Sequence, residues 1–315
     1  MTNYIFKRII ALIPVLLVVS VVVFLLMFLI PGDPVSVLLG EEASEETIVQ
    51  VKHELGYDLP IYTQFWNWFS GLFVGDFGFS IFFNAPVLTV FIEHLQPTIS
   101  LAILSQIIAI IIALSLGTIA AKKQGTAVDH SLSTLSVLGI SIPSFLMGLF
   151  LVLLFAVQLQ WLPVAGYRPI ENGLLNHIEY LILPAIALGT MQAGLIMRMT
   201  RSSVLDVMKA QYIKTAKAKG VHHNSITFKH ALKNAFLPIL TVIGESFGTL
   251  ITGAAVVETV FNIPGLGQLI VNSISRRDFI TIQGSILMMT FMYVILNLVV
   301  DILYGVIDPR VRVSK

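Results

Sequence analysis

Cysteine is absent from the 315 residues, which excludes disulfides, thiolate metal sites and cysteine nucleophiles. Charge is scarce too. Asp, Glu, Lys and Arg make up 12% of the chain, against about 25% in an ordinary soluble domain. No G-x-x-x-x-G-K-[ST] loop is present to cradle nucleotide phosphates. Neither H-E-x-x-H nor G-x-S-x-G appears, so metalloprotease and serine-hydrolase chemistry have no motif to stand on. No internal repeat or low-complexity tract is visible. Inverted repeats and intramembrane charge pairs mark a secondary transporter or channel that works without ATP, so the missing repeat counts against that class. The chain reads as no enzyme, with no catalytic, cofactor-binding or metal-ligating set and no nucleic-acid partner. His222, His223 and His230 read as solvated loop histidines, because adjacent residues do not share a helix face and no carboxylate lies close in sequence.

Apolar residues dominate instead. They form 56% of the chain, and mean hydropathy is +0.87. Lipid is the solvent this composition suits. The first run, Ile9–Ile30, is interrupted only by Pro14 and Ser20. At about 1.5 Å per residue it crosses a hydrocarbon core of about 30 Å. It is too long for a signal-peptide h-region, and Pro31–Pro34 stands where a small-residue cleavage site would be needed. Five further spans are read at Thr98–Ala120, Leu132–Val157, Tyr180–Met197, Leu237–Val257 and Ile280–Val300. The expected fold is therefore an all-α integral membrane protein with six transmembrane helices. Pro143, Pro184 and Pro238 sit in or at the ends of three spans and mark candidate bends. Gly139, Gly148, Gly189, Gly194, Gly244, Gly248 and Gly253 would let helices approach closely.

The division follows from this pattern: a first span over 1–30, a polar helical cap over 31–97, a membrane core over 98–308 with a loop at 198–236, and a tail at 309–315. In the cap, Ser44 suits an N-cap, with Glu45 and Glu46 in the first turn, Ile48, Val51 and Leu55 on one face and Gly56 as the stop. A second helix is expected over Tyr62–Leu72, whose Trp66, Trp68 and Phe69 suit a membrane interface. A third is expected from Pro86 to Leu95. Only Lys52, Arg168, Arg276 and Arg277 of the 19 basic residues fall in outer segments if the N-terminus is inside. That asymmetry obeys the positive-inside rule and puts both termini in the cytoplasm. Asp301, at the inner end of the sixth span, reads as an interfacial helix-end charge or a partner for the basic loop.

Tyr212–Pro238 is a basic, mostly polar island between long apolar runs. Thr215–Lys219 reads as a small-residue helix ended by Gly220. Asn224 is expected to cap a second helix with Phe228, Ala231, Leu232 and Ala235 on one face. That helix runs into Pro238 and the fifth span. A short helix outside the bilayer, joined stiffly to a membrane helix, can act as a lever. The plainer reading is a basic loop that anchors topology.

Tyr212–Gly220, His230–Ala235 and Leu237-Pro238 resemble the cytoplasmic coupling loop of binding-protein-dependent ABC importer permeases, in the dipeptide, oligopeptide, glutathione and nickel branch. Further ordered matches are Leu29–Pro34, Gly75–Gly78, Ile140–Phe145, Trp161–Pro163, Arg198–Ser203, Glu258–Gly267 and Asn297–Asp301, so the resemblance covers essentially the whole chain. Where the wider family has Glu-Ala-Ala at the start of its loop, Thr215, Ala216 and Lys217 stand here. The resemblance implies a type I ABC importer permease fold in a bacterial or archaeal cytoplasmic membrane. It implies a second homologous permease subunit, two ATPase subunits that carry ATP and Mg, and an extracytoplasmic substrate-binding protein. The cargo it implies is short peptides or a related small solute, with glutathione or a nickel or other metal chelate as alternatives. Thr215, Ala216, Lys217, Gly220, His230, Asn234 and Pro238 are the ATPase-coupling positions it marks.

Glu245 falls about eight residues, roughly 12 Å, into the fifth span. A lipid-facing carboxylate there is costly, so it is expected to line a translocation path and favour a cationic group, or to bond the partner permease as the neutral acid. Glu258, Phe261, Pro264 and Gly265 belong to an outer turn. By resemblance that turn is an outer gate or a binding-protein contact; the alternative is an ordinary connector.

Overall fold

The computed structural model describes residues 2–29, 35, 44–54, 56–80 and 82–307. The Pro31–Pro34 turn, Leu55, the 309–315 tail and the side chain of Asp301 lie outside the described residues. Helix α1 (Thr2–Leu29) is followed by α2 (Glu45–Glu54) and α3 (Ile61–Leu72). A two-stranded antiparallel ribbon, β1 (Phe79–Ser80) with β2 (Ala85–Pro86), leads into α4 (Val87–Lys122). Then come α5 (Ala127–Ser141), α6 (Ser144–Leu151) with a π-helical extension at Val152–Gln158, and α7 (Leu174–Met208). Helix α8 (Gln211–Ala218) and a π-helical segment at Ile226–Ala231 precede α9 (Leu232–Gly253). Helices α10 (Ala255–Val260), α11 (Leu266–Ser275) and α12 (Phe279–Ile307) complete the chain.

Among the described residues, five stretches are long and apolar enough to cross a bilayer: Ile10–Phe28, Val87–Lys122, Leu174–Met208, Ile226–Gly253 and Phe279–Val300. The sixth is a broken pair, Ala127–Ser141 with Ser144–Gln158, bent by 100°. The sequence reading of Leu132–Val157 as one run is corrected here. Ile142 precedes a proline, which disfavours the helical conformation, and it is extended at φ −83°, ψ 120°. Pro143 then caps α6, its carbonyl accepting from the Met147 N–H at 3.1 Å.

A second correction concerns α4. A helix ending at Leu95 and a span beginning at Thr98 are in fact one helix, and Pro86 belongs to β2 rather than to a helix start. Pro97 lies inside that helix. Its missing N–H removes a single ladder bond, and the other backbone bonds of a long apolar helix hold the axis. Pro184 and Pro238 are likewise inside α7 and α9. Helix α7 is longer than Tyr180–Met197; its 35 residues rise about 52 Å, well beyond the hydrocarbon core.

Two compact units are present. One comprises Thr2–Gln96 and Gln268–Ile295. In it Ser44 caps α2 as expected, its Oγ accepting from the Thr47 N–H at 3.3 Å, and Gly56 stands just beyond the helix with φ +70°. Phe24 of α1 meets Phe65 and Trp68 of α3 with ring centroids 5.2 and 5.6 Å apart. Asp278 caps α12, accepting from the Thr281 N–H and hydroxyl. The same carboxylate takes the Ser80 hydroxyl at 2.5 Å, which ties the ribbon to the start of α12.

The other unit comprises Pro97–Gly267 and the chain from Leu296. Here α7 packs against both α5 and α9. Its core is rich in small residues: Ala109 and Ala113 of α4, Ala193 of α7, Ala231 of the π-helical segment and Ala235 of α9. Glycines bring backbones closer still. A Cβ on Gly194 would lie 2.6 Å from the Ser136 carbonyl, and one on Gly189 2.9 Å from that of Ser105. Small residues at helix contacts are how membrane helices gain packing where lipid removes the hydrophobic drive between them. Gly253, also expected at such a contact, meets nothing closer than 3.9 Å.

Candidate functional site

The polar loop builds a short helix on a sharp turn. Helix α8 is mostly exposed, with Ile213 its buried residue. Thr215 and Lys217 point outward and Ala216 is half-buried. Gly220 ends the helix at φ +75°, and the Val221 N–H reaches back to the Ala216 carbonyl at 3.1 Å. A left-handed residue with that back-bond is the glycine C-terminal cap the sequence signalled. Asn224 does not cap the helical segment beyond this turn. His222 does, its Nδ1 accepting from the Asn224 N–H at 3.3 Å, while the Asn224 side chain accepts from Lys122 Nζ at 2.6 Å. That bond ties the loop to the end of α4.

The next face also differs from the expected one. Phe228 is exposed, and the buried positions are Ile226, Thr227, Ala231, Ala235 and Ile239. The cause is the π-helical segment, whose i→i+5 bonds add a residue to the turn. The buried spacing is thus five from Ile226 to Ala231 and four thereafter. His230 is half-buried, with its carbonyl accepting from the Asn234 side chain at 2.7 Å. Asn234 and Pro238 are exposed along α9.

Beside this loop is an ion pair that sequence reasoning missed. Asp129, in the first turn of α5, is almost wholly buried. Its carboxylate accepts from Arg201 Nε at 2.6 Å and Nη2 at 2.8 Å, and from the Gly125 N–H at 2.9 Å. Bidentate guanidinium–carboxylate geometry of this kind is strong and directional. The only signal available beforehand was an acid beside the inner end of an apolar run on an otherwise basic side.

Helices α5, α7 and α9 enclose an open cleft of about 820 Å³. Glu245 lines it, exposed, from α9, and Arg198 lines it, exposed, from α7. Behind Glu245, Ser246 is held by Gln106 of α4 through bonds of 3.0 and 3.1 Å. This fixes the rotation of α9 and hence the side on which Glu245 emerges.

The Glu258–Gly265 turn is packed against the protein interior. Glu258 and Phe261 are buried, and Glu258 Oε1 accepts from the Thr98 hydroxyl at 2.6 Å. That hydroxyl in turn accepts from the Leu266 N–H at 2.8 Å. Gly265 abuts the Glu258 carboxylate so closely that a Cβ would overlap it. Gly148 leaves room for the Phe261 ring; a Cβ there would stand 2.8 Å from it. Pro264 and Asn262 are exposed.

Known proteins place this geometry in context. The sequence model of the family described as "Binding-protein-dependent transport system inner membrane component" matches residues 113–313, and that of its N-terminal component matches residues 1–102. The "Probable peptide ABC transporter permease protein y4tP" of Sinorhizobium fredii is 43% identical over 309 residues, covering 98% of this chain and 99% of its own. The "Glutathione transport system permease protein GsiC" of Escherichia coli K12 is 41% identical over 312 residues, covering 99% of each chain. Among solved structures, the inward-facing MetNI methionine ABC transporter aligns with TM-score 0.57 at 15% identity, covering 70% of this chain and 97% of that one. At that identity the likeness concerns the fold.

Proposed function

This chain belongs to the family of binding-protein-dependent transport system inner membrane components, and from that premise we propose that it forms half of the pore of an ATP-driven importer of short peptides. The family is a transport permease rather than an enzyme. ATP and Mg bind to two separate ATPase subunits, a second homologous permease completes the pore, and an extracytoplasmic binding protein delivers the cargo. The chain resides in a bacterial or archaeal cytoplasmic membrane with both termini in the cytoplasm.

One observation carries the reading. The exposed helix α8 is joined, through the Gly220 turn and the packed π-helical segment, to the helix whose far side bears Glu245 on the cleft. Thr215, Ala216 and Lys217 form the surface an ATPase grips, Gly220 sets the turn, and His230, Asn234 and Pro238 lie along the arm that moves. Glu245 lines the translocation path. At the outer turn Pro264 meets the binding protein, while Glu258, Phe261 and Gly265 hold the turn in shape. A glutathione cargo is the second reading, supported by relatives named for glutathione transport at 41% identity.

The test is uptake. Expressed with its partner subunits in a host lacking peptide import, the chain should confer uptake of labelled dialanine that vanishes with Glu, Asp or stop substitutions across Thr215–Lys217. Dialanine uptake that is indifferent to the chain overturns the reading. Glutathione uptake alone would transfer it to the second cargo.

A further inference from the structure

Charge in the cleft is sparse and of both signs. Glu245 supplies one carboxylate, with no ion-pair partner among the described residues. Two arginines line the same space, but Arg201 is committed to Asp129 through two hydrogen bonds. Arg198 is therefore the guanidinium left available. A lone charge at bilayer depth, as at Glu245, is costly unless water or a counter-charge meets it, and Arg198, just past the expected Tyr180–Met197 span, presents the opposite charge from another wall of the same cleft.

The remaining lining is matched to a peptide as well. Ser133, Ser136 and Gln192 also line it; the Ser133 and Ser136 hydroxyls already donate to Asp129 and to the Ser133 carbonyl, which leaves them as acceptors for peptide N–H groups. Met191 and Met199 offer flexible, polarizable surface that adapts to side chains of different shape. The volume of about 820 Å³ falls within the range of small-ligand sites, about 300–1,000 Å³.

We infer that this cleft binds short zwitterionic peptides, Glu245 taking the terminal ammonium and Arg198 the terminal carboxylate. The inference rests on the importer reading and narrows its cargo. One free acid and one free base complement a ligand with one charge of each sign. Glutathione carries two carboxylates and one ammonium, so one of its carboxylates would be left without a cation. A cationic metal chelate would leave Arg198 facing like charge.

The experiment uses the purified permease–ATPase complex without nucleotide or binding protein, which removes the binding protein's own selectivity. Saturation-transfer NMR reports binding of four probes: dialanine, N-acetyl-dialanine, dialanine amide and glutathione. Dialanine should bind about tenfold more tightly than either capped form, the effect of losing one charge-assisted hydrogen bond. Glu245→Gln should abolish the preference over the acetylated probe and keep that over the amide; Arg198→Gln should do the reverse, and Glu245→Asp should retain both. Equal binding of capped and uncapped probes by the unmodified complex overturns the proposal, as does the absence of dialanine binding up to tens of millimolar. So does a variant that weakens all four probes alike, since that is a structural effect. If dialanine uptake still depends on the chain in any of these cases, the cleft assignment alone has failed and the importer reading stands.

Discussion

Asp129 is a carboxylate with almost no access to solvent, facing a guanidinium that is 31% exposed. Removing the acid strands two Arg201 donors and the Gly125 N–H. Breaking a buried pair from one side costs about 3–5 kcal/mol, and the partial exposure of Arg201 puts this case at the lower end. Asp129→Ala should therefore lower the Tm of the purified complex by several degrees. The exchange Asp129→Arg with Arg201→Asp should recover part of the loss, whereas Arg201→Lys alone should lower the Tm by less than Asp129→Ala does, because it keeps a charge pair but cannot reproduce the bidentate fork. An unchanged Tm in Asp129→Ala would show that the pair holds nothing. Glu245 was legible in the sequence because a single acid inside an apolar run has a cost that its neighbours in sequence make plain. Asp129 was not, since its meaning lies in a partner 72 residues away.

At the scale of elements, α8 is joined to the membrane helix behind it through the π-helical segment. The π-helical segment absorbs one residue, so Ile226 and Ala231 both stay buried while Phe228 is left outside. Deleting Phe228 would bring Ile226 and Ala231 to the regular spacing of four and keep both on the core side. Deleting Lys233, which is exposed but lies within the α-helical stretch, would rotate everything before it by about 100°. The Phe228 deletion should thus assemble with the ATPase subunits and retain its Tm, and the Lys233 deletion should not copurify. The opposite ranking would mean that the π-helical segment has no role in setting register. Periodicity read from sequence placed Phe228 on the buried face because it assumed uniform α-helical spacing; no propensity announces a wider turn. Pro143 was legible as a breaker, but not the 100° turn beside it, because the angle depends on what α6 packs against.

Across the whole chain, six crossings with the N-terminus inside are the arrangement proposed from the distribution of Lys and Arg. The native absence of cysteine makes single-cysteine labelling free of background. Thr215→Cys should resist a membrane-impermeant maleimide in intact spheroplasts and react in inverted vesicles. Val74→Cys, at a position that is 83% exposed and lies outside in the proposed orientation, should behave in the opposite way. Labelling of both from one side would overturn the orientation. The expected partners also bear on stability, since apolar side chains such as Ile111 and Phe291 are exposed and need lipid or a second subunit to cover them.

Composition alone determined the solvent and class of this protein. Long apolar runs cannot be satisfied in water, and helices are what a single chain of such runs forms in lipid, because every backbone group must bond internally. The start and stop of α2 and α8 were also local matters, written in Ser44, Gly56 and Gly220, whose backbone preferences act over a few residues. Tertiary structure decided the rest. It made a single helix, Val87–Lys122, of the stretches expected at Pro86–Leu95 and Thr98–Ala120 while leaving Pro86 in the ribbon, turned Glu258 and Phe261 inward, paired Arg201 with Asp129 and left Arg198 open to the cleft. Each of these depends on contacts between residues far apart in the chain, and such contacts arise only when the helices pack.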